Sequence, residues 1–392
     1  MSIMITGATG FIGCRLAEIA VERRIPVVAL VRTWSHAARL ARLPVRMVPG
    51  DILDLRSLRE AVKGCDTVFH CAVDNGIGGR AHYRSSVHGT ANVMQAALEA
   101  RVDRVVHLSS VAVYSYRPGP DAASEDGRYR YSEDAYCNGK IDGEKVALRY
   151  ARDRGLPVTI LRPTIVYGPF GAWTMIPINS ILKGRMVLVD GGRGVCNCLY
   201  IDNLADAMLL ARERGAGEVF HVSDARPVSW REFIEAHARA LGDSYLPLPD
   251  MSPQEIAAAR RAIRARSSSV HQILRLLRDP RTRRALRSIP IVARWTRAAG
   301  AVGRALAPAH VRRLPGDGQP EDDHGPEDEV AQPRARSILS QDEVNIYSVN
   351  VTFSIEKARR KLGYDPRISF AEGMARTTAW IRWARLASAP SE

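Results

Sequence analysis

Eight residues near the head of the chain restrict its fold more than any other feature. Thr6-Gly7-Ala8-Thr9-Gly10-Phe11-Ile12-Gly13 follows the apolar run Ile3–Thr6 and precedes a helical pattern over Cys14–Arg23. In a strand–turn–helix unit, Gly7 permits a tight turn and Gly10 removes a side chain where a pyrophosphate would approach the backbone. Gly13 lets the helix pack closely on the strand. The start of that helix offers free N–H groups and a positive dipole end to phosphate oxygens. A glycine triplet can also serve packing alone, so its weight depends on the pattern of the chain beyond it.

That pattern is a strict alternation. Short apolar runs at Ile3–Thr6, Pro26–Val31, Val45–Val48, Thr67–Cys71, Arg104–Ser109 and Pro157–Leu161 are separated by helical stretches at Cys14–Arg23, Leu55–Val62, Ala91–Ala100 and Gly139–Arg152. Continuous apolar strands alternating with helices predict an α/β fold with a parallel sheet covered on both faces, a Rossmann-type doubly wound sheet. Residues 1–165 are expected to form this NAD(P)-binding domain. Residues 166–250 and 340–388 are expected to form a smaller, mostly C-terminal substrate domain, with Ser229 and Glu232 as the capping box of a helix Trp230–Leu241. The run Leu199–Arg212 reads as one helical stretch, a short strand is expected near Glu218–Val222, and two closing helices are expected around Ile355–Leu362 and Phe370–Leu386.

The end of the second strand addresses the kind of dinucleotide. An NAD site usually carries a carboxylate there for the ribose hydroxyls, whereas this chain reads Ala29-Leu30-Val31-Arg32. Arg32 suits a 2′-phosphate through charge-assisted hydrogen bonds, which favours NADP over NAD; the plain alternative is a solvated surface arginine.

Tyr136 and Lys140 stand four residues apart at the start of a predicted helix. In a chain of 12 tyrosines and six lysines that pair is only suggestive. Ser110, just past the strand Arg104–Ser109, strengthens it, because ligands of open parallel sheets bind at the carboxyl ends of the strands. A phenol titrating near 10 is a poor acid–base group at neutral pH, but a neighbouring ammonium and a positive nicotinamide ring favour its phenolate. Tyr136 would then exchange a proton with a substrate hydroxyl or ketone while hydride moves at the same carbon. Ser110 would hold the substrate oxygen, and Lys140 would also hold the nicotinamide ribose.

These motifs resemble the extended short-chain dehydrogenase/reductase family, in its NAD-dependent epimerase/dehydratase-like branch. The resemblance covers nearly all of residues 1–250 and about 345–385. It runs through Thr6–Gly13, Gly50-Asp51-Ile52, Phe69-His70-Cys71-Ala72, Val105–Tyr114, Leu161–Pro169, Leu199–Arg212 and Lys357–Pro366. It implies Ser110, Tyr136 and Lys140 as the catalytic residues. Together with Arg32 it implies a cofactor site of Gly7, Thr9, Gly10, Phe11, Ile12, Gly13, Asp51, Ile52, Ala72, Tyr136, Lys140 and Pro163, with Asp51 meeting the adenine amino group. No metal is expected.

The departures bear on the substrate. Ser86 stands where the family usually has Asn in an N-V-x-G-T stretch. Ile165 lies near the place of a further Asn, and Cys196–Ile201 lacks the arginine with which nucleotide-sugar members grip a diphosphate. A diphosphate needs cationic or donor partners. The favoured reading is therefore an NAD(P)-dependent oxidoreductase acting on a hydroxyl or ketone of a small or lipid-like molecule. The alternatives are a nucleotide-sugar epimerase or dehydratase with the same trio, and a non-catalytic NADP-binding scaffold or sensor. Trp173 and Met175 are candidates for the substrate pocket. Tyr114 and Tyr167 suit either the cleft or the core, and His70, His88 and His107 read as packed or surface histidines.

Composition adds limits. With 46% apolar and 25% charged residues the chain has the makings of a sizeable core, and no run of 18 apolar residues predicts a membrane span. A chain starting directly on a strand leaves no room for a signal peptide, so a cytoplasmic protein is expected. The six scattered cysteines read as reduced thiols. Of the net charge of +14, residues 251–313 hold +13, with fifteen arginines against Glu255 and Asp279. Apolar positions Val292, Trp295, Ala299, Val302 and Leu306 fall on one stripe there. This segment is read as an arginine-rich helical insertion meeting an anionic membrane surface, packing as a lid, or contacting a second copy in a homodimer. Nothing in it favours nucleic acid. Residues 314–339, Gly/Pro-rich and acidic, read as a disordered linker.

Overall fold

The computed structural model of the protein describes residues 2–73, 79–267 and 339–386. Strands β1 (Ile3–Thr6), β2 (Val27–Val31), β3 (Arg46–Pro49), β4 (Thr67–His70), β5 (Arg104–Leu108) and β6 (Val158–Pro163) follow the expected alternation. Three short pairs flank the later chain. They join β7 (Ile165–Tyr167) to β10 (Cys198–Tyr200), β9 (Val195–Cys196) to β12 (Val228–Ser229), and β8 (Leu188–Val189) to β13 (Asp250–Met251). The remaining strand, β11 (Val219–Val222), joins the main sheet beside β6. The parallel sheet thus has the order β11-β6-β5-β4-β1-β2-β3 and takes its last strand from beyond residue 165.

Every residue of β1, β2, β4 and β6 is buried, as strands covered on both faces require. β3 exposes Arg46 and Pro49, and a sheet edge is where a proline costs no ladder bond. Helices α1 (Phe11–Glu22), α2 (Leu55–Val62), α3 (Gly79–Arg84), α4 (Thr90–Ala100) and α5 (Ala135–Arg154) make the crossovers. Met4, Val28, Val68 and Val105 of the sheet pack against Leu58, Val93, Met94 and Ala147 of the helices. Each large apolar side chain so buried contributes about 1.5–3 kcal/mol.

Two helix starts differ from expectation, and both matter for the site. α1 begins at Phe11 rather than Cys14, because Gly10 sits extended as its N-cap. α5 begins at Ala135 rather than Gly139, because the Asp134 carboxylate accepts a hydrogen bond from the Cys137 N–H at 2.8 Å. Tyr136 therefore lies in the first turn, one turn from Lys140. The run Leu199–Arg212 also divides, its first residues pairing in β10 before α7 (Ile201–Glu213) starts. Pairing with β7 accounts for this.

Between these lies α6 (Ala172–Leu182), and α8 (Trp230–Leu241) carries the Ser229–Glu232 capping box. Past β13 comes α9 (Pro253–Ser267), the described start of the arginine-rich segment. The rest of that segment, with its apolar stripe, and the acidic stretch up to residue 338 lie outside the described residues. The chain closes with α10 (Gln341–Tyr347), an extended stretch over 349–353, α11 (Glu356–Leu362) and α12 (Phe370–Trp383). Among the described residues, 2–252 and 339–386 belong to one compact unit, and α9 belongs to another. Among the described residues no helix is long and apolar enough to cross a membrane, and no group of three or more His, Cys, Asp or Glu could hold a metal ion.

Candidate active site

The sheet order reverses between β1 and β4, since the chain lays β2 and β3 on one side and β4 to β6 on the other. Crossovers leaving to opposite sides open a crevice at the carboxyl ends of those strands. A cavity of about 520 Å³ fills that place, and all the expected cofactor and catalytic residues stand on its wall.

The glycine turn explains its own composition. Gly7 has φ +70°, and a Cβ there would stand 2.8 Å from the Ala72 backbone. A Cβ at Gly13 would overlap the Gly7 carbonyl. Gly10 differs: apart from the Gly7 carbonyl at 3.2 Å, nothing lies within 4 Å of its missing side chain. The first helical bond of α1 is Cys14 N–H to the Gly10 carbonyl, 2.9 Å, and no side chain caps the helix. The N–H groups of Phe11, Ile12 and Gly13 precede that bond at an end with positive partial charge. An open Gly10 at an uncapped helix start fits a dinucleotide pyrophosphate. At the far end of the wall stand Leu30, exposed Arg32, Gly50, Asp51 and Ile52. The Asp51 carboxylate accepts from the Leu53 N–H at 2.9 Å.

Ser110, Tyr136 and Lys140 converge at the end of β5. The Ser110 Oγ accepts from the Ala112 N–H, 3.1 Å, and Tyr136 stands on the same wall. The Lys140 ammonium donates to the Leu108 carbonyl, 2.9 Å, and stands 5.8 Å from the centre of the Tyr136 ring. Burial pushes Lys140 down to about 8, opposed by Cys71 and Glu144. Burial raises Tyr136 above its ordinary value, with the nearby Ser110 hydroxyl working against it, and the Lys140 ammonium is directed at a carbonyl.

A buried polar cluster backs the trio. Ser109 donates to Glu144, 2.5 Å, and Glu144 pairs with Arg162, 2.5 Å, with both partners almost fully buried. Tyr129 donates to the same carboxylate, 2.8 Å, and Tyr114 bonds Arg162 and His221. Ser109 and Leu108 are thus both tied to α5, which fixes the strand end that carries Ser110.

Several candidates lie elsewhere. Met175 is not on the cavity wall, whereas Trp173 is, in the first turn of α6. Tyr114 and Tyr167 are core residues, the latter packed on Tyr200, Phe233 and Phe370. His70 is buried between the Thr6 and Thr90 hydroxyls, His107 is buried beside it, and His88 is exposed. Ser86 places its hydroxyl 3.3 Å from His82 Nε2, and the His82 ring packs against Tyr136 with centroids 5.3 Å apart. The sequence reading missed His82, Tyr116, Asn197, Trp230, Ile346, Val349 and Phe353. All but His82 line the cavity. No local motif marks them. The one available signal was a large aromatic, Trp230, at the first position of a capped helix.

A doubly wound sheet with a glycine-turn cavity and a Ser–Tyr–Lys trio defines the class of nicotinamide-dependent oxidoreductases. The chain belongs to the NAD dependent epimerase/dehydratase family, which matches residues 3–223, and it is an enzyme of that nicotinamide-dependent class. It is 32% identical over 242 residues to 4-hydroxy-2-methyl-3-oxo-4-farnesyl-3,4-dihydroquinoline-1-oxide ketoreductase of Stigmatella aurantiaca, covering 60% of this chain and 71% of that protein. It is 31% identical to 2-alkyl-3-oxoalkanoate reductase of Stenotrophomonas maltophilia, covering 62% and 76%. UDP-glucose 4-epimerase of Thermotoga maritima, solved with UDP-glucose, shares the fold with a TM-score of 0.67 at 18% identity, covering 98% and 100%.

Proposed function

We propose that the protein is an NADP(H)-dependent ketone reductase or alcohol dehydrogenase with Tyr136 as its acid–base group. The observation that carries this reading is the meeting of Ser110, Tyr136 and Lys140 on the wall shared with the open Gly10 turn. Bound there, the cofactor supplies or accepts a hydride at the carbinol carbon. In the reducing direction the Tyr136 Oη gives its proton to the carbonyl oxygen, and the carbonyl becomes an alcohol. Ser110 Oγ, on the same wall as Tyr136, donates to the same oxygen and aligns it. Lys140 would serve the cofactor ribose, and the carbonyl it now bonds keeps its ammonium at the strand end. Gly7 to Gly13 with Ala72 would hold the pyrophosphate, Asp51 and Ile52 the adenine, and Pro163 the nicotinamide.

The choice of NADP over NAD rests on exposed Arg32 at the adenosine end, with no carboxylate at the end of β2. Two relatives named as a ketoreductase and a reductase support a ketone substrate. A nucleotide-sugar reaction is the second reading, favoured by the fold neighbour solved with UDP-glucose. NADPH oxidation with a panel of ketones, wild type against Tyr136→Phe, tests the first reading. Equal turnover by the two proteins would end it. We further propose from sequence alone that 251–313, with its charge of +13, adsorbs to anionic membrane surfaces. Co-sedimentation with anionic vesicles at low salt, lost at high salt, is the expected result.

A further inference from the structure

The two ends of the cavity differ in charge. Among the described residues, the ionic side chains on its wall are Arg32 and Asp51 at the cofactor end and Lys140 of the trio itself. Beyond Tyr136 the wall is Tyr116, Trp173, Trp230, Ile346, Val349 and Phe353, with smaller apolar residues between them. The main polar side chains there are engaged with the protein itself. Asn197 donates to the Val351 carbonyl, 2.8 Å, and accepts from the Phe353 N–H, 3.1 Å. The Trp230 indole donates to the Ile346 carbonyl, 3.0 Å. Ser115 accepts from the Arg117 N–H, 3.2 Å. The Val195 N–H donates to the Val349 carbonyl, 2.6 Å, so the stretch 346–353 is tied along this side at four points. Trp173, half-buried and packed on Trp230 with ring centres 5.9 Å apart, forms the facing side.

A charge brought into such a space loses its water and gains no ionic partner among the described residues, which is strongly unfavourable. An apolar body gains by the same desolvation. We infer that the substrate carries its ketone on an uncharged, ring-sized apolar frame, and that Trp173 and the stretch Ile346–Phe353 select it. This rests on the ketone reductase reading and narrows it.

The test uses the full chain with NADPH and three probes: 1-tetralone, hydroxyacetone and UDP-glucose. The expected kcat/KM is at least about tenfold higher for 1-tetralone than for hydroxyacetone, the scale on which apolar pockets discriminate. In Trp173→Ala that ratio falls about tenfold, mostly through KM for 1-tetralone. Val349→Ser gives a smaller fall of the same kind and serves if Trp173→Ala does not fold. A preference for hydroxyacetone, or an unchanged ratio in both variants, overturns the inference and leaves the reductase reading standing. Calorimetry on Tyr136→Phe with NADP separates binding from turnover. Binding of 1-tetralone without turnover by the wild type keeps the inference and removes the reductase reading. Binding of UDP-glucose in place of 1-tetralone overturns the inference.

Discussion

The cofactor end of the cavity and its substrate end are built on opposite principles. The first is backbone and charge: a glycine turn, unpaired N–H groups at a helix start, Arg32 and Asp51. It arises from residues adjacent in sequence or one strand apart. The second is apolar side chains from α6, β9, α8 and the stretch after α10, and its polar atoms are tied to one another. The first end can be shared by proteins with unrelated substrates, because what it meets does not change. The second end is where one chain departs from another. Between them stand Ser110, Tyr136 and Lys140, held by the Glu144–Arg162 cluster to the strand that divides the two.

The sharpest break of this arrangement is at the divide. Tyr136→Phe should lower kcat by about 10²–10⁴ while leaving cofactor binding and circular dichroism in place. Stopped-flow hydride transfer checks this. Replacing Glu144 by Ala leaves Arg162 buried without its carboxylate and should cost about 3–5 kcal/mol of stability. Denaturant unfolding measures the loss, and a change under about 1 kcal/mol would show that the cluster is not what holds the strand end. At the cofactor end, Arg32→Ala should weaken NADPH by about tenfold or more and NADH much less, since only the 2′-phosphate loses a charged partner. Equal weakening of the two would remove the arginine from that role. The pH profile should break near Lys140. Burial disfavours its charge, so the ammonium is present below about 8 and lost above it. With a charged Lys140 needed at the ribose, kcat/KM holds below about pH 8 and declines above, and Lys140→Met removes the break. The smallest effect is expected at the substrate end. Asn197→Ala loses two hydrogen bonds to the stretch 351–353 and should raise the ketone KM a few-fold, on the order of 1 kcal/mol.

The same division separates what was legible in the sequence from what was not. The turn Thr6–Gly13, the strand ends at Arg32, Asp51 and Ala72, and the Tyr136–Lys140 spacing are local patterns, and they could be read one at a time. Helix starts were less visible. Gly10 and Asp134 cap α1 and α5 earlier than the apolar periodicity suggests, because capping depends on one polar or glycine residue rather than on a repeat. The division of Leu199–Arg212 was hidden for a related reason: β10 exists through its partner β7, some thirty residues back. Val349 and Phe353 were not legible at all, and Trp230 showed only as an aromatic at the start of a capped helix. Their meeting depends on contacts across more than a hundred residues, which no local spacing records. The degree to which Tyr136 is buried was also out of reach, since no local spacing records it.

The Trp230 indole bonds a carbonyl 116 residues further on, and that distance orders events in time. A chain emerging from the ribosome folds from its N-terminal end at the pace of synthesis, roughly 5–20 residues per second. The glycine turn and the sheet strands through β11 are complete by residue 222, whereas the wall that selects the substrate waits for residues 346–353. For several seconds the nascent chain would carry its glycine turn and sheet strands without residues 346–353, its proposed substrate side still open to water.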